Sequence, residues 1–254
     1  MNWWKREALP NCTARVDKSP CGRISLTIRG ISVIYITGDM HGDRSRFSMK
    51  EIKRLKKGDS LIICGDFGFL WDGSRKERRF LKWLGRRRYH VLFVDGCHEN
   101  FPLLAETEPE RWNGGMTRPI TGRLRQLLRG EVFELEGKRF FAFGGGQSVD
   151  NELREAGKTW WKEEAPTEDD MQNGLSNLRE CGFKVDYIVT HEPPAVVKEF
   201  LDMNTLERAR INTYLNEVQQ QCTFTRWYFG KCHVNKMIPP KYHALFEQVA
   251  AIGK

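Results

Sequence analysis

The sequence predicts an α/β fold, and three observations lead to that prediction. Short runs rich in β-branched and aromatic residues, such as Val33–Ile36, Leu61–Cys64 and Val91–Val94, have the length and composition of buried strands. Apolar side chains recur at helical spacing in the segments between these runs. The order strand, helix, strand, helix, strand from Ser32 to Asp95 implies parallel pairing through right-handed crossovers. A chain of 254 residues can form one large domain with a substantial core.

The second half of the chain predicts an antiparallel unit followed by further α/β elements. Trp112–Gly115 has the composition of a turn, and Glu136-Gly137 supplies the second turn of a three-stranded meander. Thr167 is a predicted helix N-cap, since acidic residues follow it in the first turn of a helix that runs to about Cys181. The remaining predicted elements are a short helix at 99–105, strands at 124–128, 132–135, 139–143, 186–190 and 223–229, helices near 194–201 and 205–220, and a last strand at 244–250.

Two mixed β-sheets packed face to face, with helices outside, would account for this order of elements. The residues alone support only an α/β domain with an antiparallel insert. Residues 1–30 are predicted to be an N-terminal extension, and residues 31–254 a single domain. The extension contains a strand-like segment, Ile24–Ile28, closed by Gly30. It could be an added edge strand, a disordered arm, or the result of a start codon placed too far upstream.

The composition indicates the cellular compartment in which the protein is expected. The hydrophobic content of 40% is ordinary, and no apolar run approaches the ~18 residues of a membrane-spanning helix. The first residues lack the apolar core of a signal peptide. Seven cysteines, an odd number without the spacing of a disulfide framework, suit a reducing compartment. The sequence therefore predicts a cytoplasmic protein without a membrane partner, and it leaves the oligomeric state open.

Acidic and histidine-bearing segments directly follow five of the predicted strands. They are Gly38–Asp43, Gly65–Gly68, Gly96–Glu99, Thr190–Pro194 and Gly230–His233. Ligands of open α/β sheets bind where strands end, and Asp and His side chains are ligands for divalent metal ions. Helix capping or core packing would explain any single segment, but not five of them in this arrangement. The pattern therefore predicts a metal centre.

In order and placement, these segments resemble the motifs of the calcineurin-like metallophosphoesterase superfamily: Asp-x-His, Gly-Asp, Gly-Asn-His-Asp/Glu, a lone His, and Gly-His-x-His. The resemblance implies a four-layer αββα fold with two metal ions. It assigns one ion to Asp39, His41, Asp66 and His233. It assigns the second ion to the positions of Asp66, Cys97, His191 and Lys231, with Asp66 bridging the two ions.

Two positions of the second metal site depart from the family pattern. Cys97 stands where the family has Asn, and Lys231 stands where it has the first His of the last motif. An ammonium group has no lone pair for a metal. Lys231 could therefore replace the second ion electrostatically and bind phosphate oxygens beside one remaining ion, which is the hypothesis we favour. Alternatively, Asp66, Cys97 and His191 hold a second ion with a preference for zinc or iron, because a neighbouring lysine lowers a thiol pKa. In the third hypothesis the chain binds but does not cleave.

The resemblance implies a metal-dependent hydrolase that uses a metal-activated water on phosphomonoesters or phosphodiesters. One or two divalent ions of manganese, zinc or iron are the expected cofactors. The alternative is a catalytically weak relative that binds phosphate or nucleic acid. A phosphorylated small molecule or a nucleotide is the expected partner, and nucleic acid is a further candidate because of the net charge of +8.

Roles follow for several residues near the motifs. The resemblance implies that His98 is the general acid, with Glu99 as a candidate orienting partner; the alternative is that His98 is an ordinary hydrogen-bonded loop residue. Lys231 is the second predicted catalytic residue. Asp43 is predicted to accept a hydrogen bond from a ligand histidine, whereas Arg44 and Arg46 could bind phosphate or face solvent.

Two further regions have open interpretations. The irregular stretch from Gln147 to Pro166 could be a specificity loop, or its tryptophans could close the edge of the core. Basic residues cluster in Lys50–Lys57 and in Arg75–Arg88, with apolar residues at helical spacing. The usual explanation is two surface helices with solvated polar faces, which we favour. The alternative is a surface that follows the phosphates of a nucleic acid, although no recognised nucleic-acid-binding module accompanies it.

Overall fold

The computed structural model describes residues 32–148, 150–201 and 209–252. The predicted N-terminal extension, with its segment Ile24–Ile28, lies outside the described residues and stays a prediction. The strands are β1 (Ile34–Thr37), β2 (Ser60–Cys64), β3 (His90–Val94), β4 (Glu110–Trp112), β5 (Gly115–Thr121), β6 (Leu124–Leu127), β7 (Glu131–Leu135), β8 (Lys138–Phe143), β9 (Tyr187–Thr190), β10 (Arg226–Phe229), β11 (Lys236–Ile238), β12 (Tyr242–Ala244) and β13 (Val249–Ile252). The helices are α1 (Lys50–Lys53), α2 (Arg75–Gly85), α3 (Phe101–Ala105), α4 (Glu168–Glu180), α5 (Ala195–Phe200) and α6 (Arg210–Gln221).

The first third of the described chain alternates strands and helices as the sequence predicts. β1, β2 and β3 lie side by side in parallel, with Ile36 opposite Ile62 and Ile62 opposite Leu92. Every residue of β2 is buried, which explains its continuous apolar sequence. α2 begins at Arg75 because the Ser74 side chain accepts a hydrogen bond from the Glu77 backbone N–H.

The predicted three-stranded meander is wrong in its pairing. β6 pairs in parallel with β3 and antiparallel with β5, so it belongs to the first sheet. β7 and β8 form an antiparallel hairpin in the second sheet. Most of β6 is buried, and periodicity cannot assign such a strand to one sheet or the other. The predicted turns at Trp112–Gly115 and Glu136-Gly137 are confirmed, since each lies in a hairpin.

The predicted last strand at 244–250 is also wrong. Its start is the end of β12, which pairs in parallel with β10 in the second sheet, and its end falls within β13, which is antiparallel to β1 in the first sheet. Two short apolar strands in different sheets look like one strand in the sequence. The other predicted elements of this half occur with shifted ends; residues 202–208, at the start of the predicted helix 205–220, lie outside the described ranges.

The elements form four layers. The seven-stranded sheet has the order β13-β1-β2-β3-β6-β5-β4, and the six-stranded sheet has the order β11-β12-β10-β9-β8-β7. Apolar side chains from both sheets form one inner cluster, which includes Ile36, Leu92 and Phe140. α1 and α2 pack on the outer face of the first sheet, and α4 and α6 on that of the second. The predicted fold class is confirmed. Within the described residues, no helix combines the length and apolar composition needed to cross a bilayer.

Candidate metal centre

The side chains that follow five strand ends lie together where the two sheets meet. They are Asp39 and His41 after β1, Asp66 after β2, Cys97 and His98 after β3, His191 after β9, and Lys231 and His233 after β10. His191 Nδ1, from the second sheet, lies 3.1 Å from the Cys64 carbonyl oxygen of the first. The Lys231 backbone N–H donates to both carboxylate oxygens of Asp39, at 3.0 and 3.2 Å. The structure thus brings all eight predicted site residues to one place.

Three donor atoms converge on the exposed side of this centre. Asp39 Oδ2 lies 3.0 Å from His233 Nε2 and 3.8 Å from His41 Nε2, and the two histidine nitrogens are 3.0 Å apart. The Asp39 side chain is fully buried, whereas 32% of the His41 side chain and 50% of that of His233 are exposed. The bond with Asp39 raises the pKa of His233, and burial lowers the pKa of His41. An ion held here would be open to a substrate from the histidine side.

Deeper in the centre, Asp66 and His191 form a second group of donors with Asp39. His191 Nε2 lies 3.5 Å from Asp66 Oδ1, and His191 Nδ1 lies 3.7 Å from Asp39 Oδ1. Burial alone would lower the pKa of His191, but the two carboxylates raise it well above its ordinary value. Burial likewise would raise the pKa of Asp66, but His191 and the hydrogen bonds from His98 lower it far below its usual range. The two buried carboxylates therefore attract positive charge to this point.

These residues fit a divalent ion. Carboxylate oxygens and imidazole nitrogens are the donors that manganese, zinc and iron accept in proteins. His191 Nδ1 faces the Cys64 carbonyl oxygen, and Nε2 is buried without a hydrogen-bond partner among the described residues, so an ion that displaced the imidazolium proton would find a ligand lone pair on Nε2. Buried carboxylates also need a compensating cation. Asp39, His41 and His233 would hold the first ion, with Asp66 and His191 lying next to it.

The backbone at the centre is held in an uncommon conformation. His41, Asp66, Lys231 and His233 have φ angles of 47°, 42°, 61° and 49°, in the left-handed region. Only three other non-glycine residues in the described ranges have a positive φ. Each such residue costs on the order of 1–3 kcal/mol unless its surroundings hold it in place, and such residues concentrate at functional sites. These four residues lie in the turns that follow β1, β2 and β10, and the left-handed conformation directs their side chains toward the centre.

Two motif glycines make room for the carboxylates. A Cβ atom at Gly96 would lie 2.1 Å from Asp66 Oδ1, and one at Gly230 would lie 2.0 Å from Asp39 Oδ1. Real Cβ atoms do not approach other heavy atoms that closely, so glycine is required by space at both positions. Asp66 Oδ1 instead accepts hydrogen bonds from the backbone N–H groups of Cys97 and His98, at 2.6 and 2.8 Å. The motif glycines therefore position the ligand carboxylates.

Lys231 places an ammonium group on the other side of the centre. Its Nζ atom lies 3.1 Å from Cys97 Sγ, 3.2 Å from the carbonyl oxygen of Gln147 and 3.8 Å from Glu192 Oε1. Burial lowers the pKa of Lys231, but Cys97 and the Glu192 carboxylate raise it above its ordinary value. Glu192 is fully buried and also accepts a hydrogen bond from Asn212 at 3.0 Å. A fixed positive charge therefore occupies this half of the centre.

Cys97 belongs to none of the three groups of candidate ligands found among the described residues. Its thiol is buried, and burial raises its pKa, although His191 and Lys231 act in the opposite direction. Lys231 lowers the pKa of this thiol as expected, but burial has the larger effect, so the net shift is upward. The stable form of the pair is a neutral thiol beside an ammonium group.

His98 is held between a carboxylate and a guanidinium. Its Nδ1 atom lies 2.7 Å from Asp66 Oδ2, and Arg154 contacts its Nε2 atom. Arg154 is itself fixed by two hydrogen bonds to Asp150 Oδ2, at 2.9 and 2.8 Å. A guanidinium can only donate, so Nε2 accepts and the proton of a neutral His98 is on Nδ1, facing Asp66. A general-acid role for His98 thus requires that Arg154 leave Nε2.

The structure corrects the predicted role of Glu99. Its carboxylate accepts hydrogen bonds from the backbone N–H groups of Phe67 and Gly68, at 2.6 and 3.2 Å, and Asp66 takes the orienting role at His98. Burial raises the pKa of Glu99 well above its ordinary value. Glu99 therefore shapes the loop after β2 that carries Asp66.

The residues after the first motif are also structural. Asp43 caps a short 3-10 turn by accepting hydrogen bonds from the backbone and side chain of Ser45, so its predicted bond to a ligand histidine is not formed. Arg46 is buried and donates to the carbonyl oxygens of Asp39 and Phe246, at 2.8 and 2.7 Å, which braces the Asp39 loop. Arg44 is exposed, with its guanidinium 4.5 Å from the centre of the Phe80 ring.

Sequence reasoning assigned no role to Arg154 or Glu192. Arg154 lies in an irregular connection, where no periodic pattern indicates which side chain turns inward. Glu192 directly follows a predicted ligand, and an acid next to a ligand histidine was a usable signal. Its partner Lys231 comes from a distant strand end, so only the fold reveals the pair.

Comparisons with known proteins agree with this geometry. A family model described as calcineurin-like phosphoesterase matches residues 32–216, which is most of the chain. The match includes the motifs from Asp39 to His191 and ends before Lys231 and His233, which the fold brings to the centre. No curated protein matches the sequence.

Proposed function

The chain belongs to the calcineurin-like phosphoesterase family, and we propose on that basis that it is a phosphoester hydrolase in which Lys231 replaces a second metal ion. The observation that supports this proposal is the position of Lys231 Nζ, between Cys97 Sγ and Glu192 Oε1. A compact ammonium group that is fixed by buried partners can stabilise negative charge on a phosphoryl oxygen.

Asp39, His41, Asp66 and His233 are the residues proposed to hold the single ion. A divalent ion bound there supplies Lewis acidity and lowers the pKa of a coordinated water. The chain supplies the rest of the site. The buried Asp39 is fixed by the Lys231 backbone N–H and the Arg46 brace, so its carboxylate is already oriented.

Two cations of the chain can receive the phosphoryl group. Lys231 lies on the side of Cys97, and Arg154 lies on the side of His98. When a phosphate draws Arg154 away from His98 Nε2, that nitrogen becomes free to take up a proton from solvent water and then donate it to the leaving-group oxygen. Phosphate binding would then be the step that frees His98 for proton transfer. The proposed substrates are phosphomonoesters or phosphodiesters, and a nucleotide is a candidate among them.

The test is metal content per chain by elemental analysis, run beside hydrolysis of an aryl phosphate monoester and an aryl phosphate diester. One ion per chain with turnover is the expected result. Two ions would show that the Cys97 side also binds metal and would overturn the role of Lys231. One ion or none without turnover would instead favour a protein that binds phosphate without cleaving it.

A further inference from the structure

The positive charge of this protein is concentrated in one segment. Residues 44–88 contain 15 Lys and Arg residues but only five Asp and Glu residues, a net charge of +10. The whole chain has a net charge of +8, so the remaining residues together are slightly acidic. Since the imbalance is local, a general enrichment in basic residues does not explain it.

The structure places this charge on one face. The segment includes α1 and α2, which cover the outer side of the seven-stranded sheet through the buried residues Ile52, Leu81 and Leu84. Of the 15 basic side chains, 13 are exposed; Arg46 is buried and Arg87 is partly buried. Within the described ranges, the only ion pair that involves these 13 side chains joins Lys50 to Glu51.

The acidic residues of the segment do little to neutralise this face. Asp59 and Glu77 are buried and accept hydrogen bonds from backbone N–H groups, and Asp66 lies in the metal centre. Asp72 is exposed and accepts a hydrogen bond from the Ser74 backbone N–H. The positive electrostatic potential of the basic side chains on α1 and α2 is therefore largely unopposed at the surface.

This face is continuous with the metal centre. Arg44 begins the 3-10 turn three residues after His41, and its guanidinium lies over the ring of Phe80 in α2. α2 follows the Asp66 loop and runs back along the sheet for about 16 Å. At its far end the Arg88 carbonyl oxygen accepts a hydrogen bond from the Gly58 N–H, which joins Arg86–Arg88 to Lys56-Lys57. A row of cations thus extends from the centre across the sheet.

The aromatic residues of this face are already covered. Trp83 is 39% exposed, but its ring stacks on Phe80 with centroids 5.3 Å apart, and the Arg87 guanidinium lies 3.9 Å from its centre. No broad ring surface is left for stacking with a base or for insertion into a bilayer. Recognition by this face is therefore electrostatic.

We infer that the face formed by α1, the Arg44 turn and α2 binds the phosphodiester backbone of a nucleic acid and leads the strand to the metal centre. The inference rests on the proposed function, because a phosphoester-cleaving centre at the end of the cationic row gives the bound backbone a chemical use. It names the substrate class as polynucleotide. Binding is independent of base sequence and falls steeply with salt, because it depends on release of counterions.

The apolar sides of the helices argue against an anionic membrane as the partner. Ile52, Leu81 and Leu84 are buried in the domain core, and the exposed ring of Trp83 lies between Phe80 and Arg87, so neither helix has a free apolar face to insert into a bilayer. An acidic protein surface offers a few scattered charges, whereas a nucleic-acid strand carries a charge at every phosphate and can follow a basic face that extends along the whole of α2.

The experiment measures fluorescence anisotropy of labelled single-stranded and duplex phosphorothioate oligonucleotides, which resist cleavage, with the full chain as purified with its metal. The test variant carries Arg79→Gln and Lys82→Gln on α2 and Arg86→Gln at its C-cap, three exposed positions at helical spacing. The control variant carries Lys138→Gln, Arg179→Gln and Lys184→Gln, which remove the same charge from exposed positions on the side of the other sheet. Circular dichroism checks that both variants fold. If the triple test variant does not fold, its three substitutions are tested one at a time.

The test variant should bind at least tenfold more weakly at 100 mM salt, and the slope of log Kd against log salt should fall by about 2–3 units, since each lost phosphate contact removes about 0.7–0.9. The control should match the unchanged protein. Equal loss in both variants, or oligonucleotide binding no tighter than binding to polyglutamate or to phosphatidylserine vesicles, would overturn the inference. Its failure is distinct from failure of the proposed function, which depends on metal content and aryl phosphate turnover. Conversely, a protein without aryl phosphate turnover could still show salt-dependent oligonucleotide binding through this face.

Discussion

The two sides of the candidate centre differ in how positive charge is placed next to their buried carboxylates. On one side Asp39, His41 and His233 direct three donor atoms to a common point, and both histidines are partly exposed. On the other side Lys231 supplies an ammonium group that is held by Cys97 and the buried Glu192. One side therefore needs an ion from solution, whereas the other carries its cation on the chain. A strand end that holds a metal ligand in the family can thus hold a fixed charge.

The largest effect is expected from Asp39→Asn, which removes the buried carboxylate of the metal-binding side. Metal content should fall below one ion per chain, and hydrolysis should fall on the order of a thousandfold, because the ion supplies most of the stabilisation of the reacting charge. Elemental analysis and aryl phosphate kinetics measure both. Asp43→Asn is the matched control, since it changes only the cap of an exposed turn. Unchanged metal content in Asp39→Asn would refute the assignment of this side.

The next effect is expected from Lys231→Met, which keeps the length of the side chain but removes its charge. Hydrolysis should fall about a hundredfold, comparable to the loss of one preorganised donor to a developing oxyanion. The single ion should remain, because the other side of the centre is intact. Lys236→Met, at an exposed position of β11, serves as the control. An unchanged kcat would show that Lys231 has no part in the reaction.

A third change converts the charged side toward the family pattern. Lys231→His combined with Cys97→Asn should raise the metal content from one ion to two and increase hydrolysis when manganese is added, because two donors replace a repelling charge. The control pair is Lys236→His with Cys181→Asn, which makes the same kinds of change away from the centre. If metal content stays at one ion, these two residues do not occupy the second metal site.

The smallest effect is expected from Arg154→Gln, which removes the guanidinium from His98. We expect kcat/KM to fall about tenfold, equivalent to roughly 1.4 kcal/mol, mainly through weaker phosphate binding. Metal content should not change. Arg179→Gln, on the exposed side of α4, is the control. A rise in activity would mean that Arg154 only blocks His98.

The metal-binding side was more predictable from the sequence than the charged side. Asp39, His41 and Asp66 follow the buried strands β1 and β2, and the carboxyl ends of these neighbouring parallel strands meet, so position in the sequence implied position in space. Arg154 comes from an irregular connection, and the Lys231–Glu192 pair joins two strand ends through side-chain contacts that no local pattern encodes. Similarly, β6 is mostly buried, and its apolar sequence could not assign it to one of the two sheets.

The left-handed turns at His41, Asp66, Lys231 and His233 connect metal supply to the lifetime of the protein. Their strain and the buried carboxylates are costs that the metal-free chain must bear alone. An ion that binds only the folded state offsets them, by about 2.7 kcal/mol when its free concentration is a hundred times its Kd. Chelation should therefore lower the midpoint of thermal unfolding and speed proteolysis. In a cell that lacks the metal, the protein would be cleared sooner, so its abundance would follow the metal that it uses.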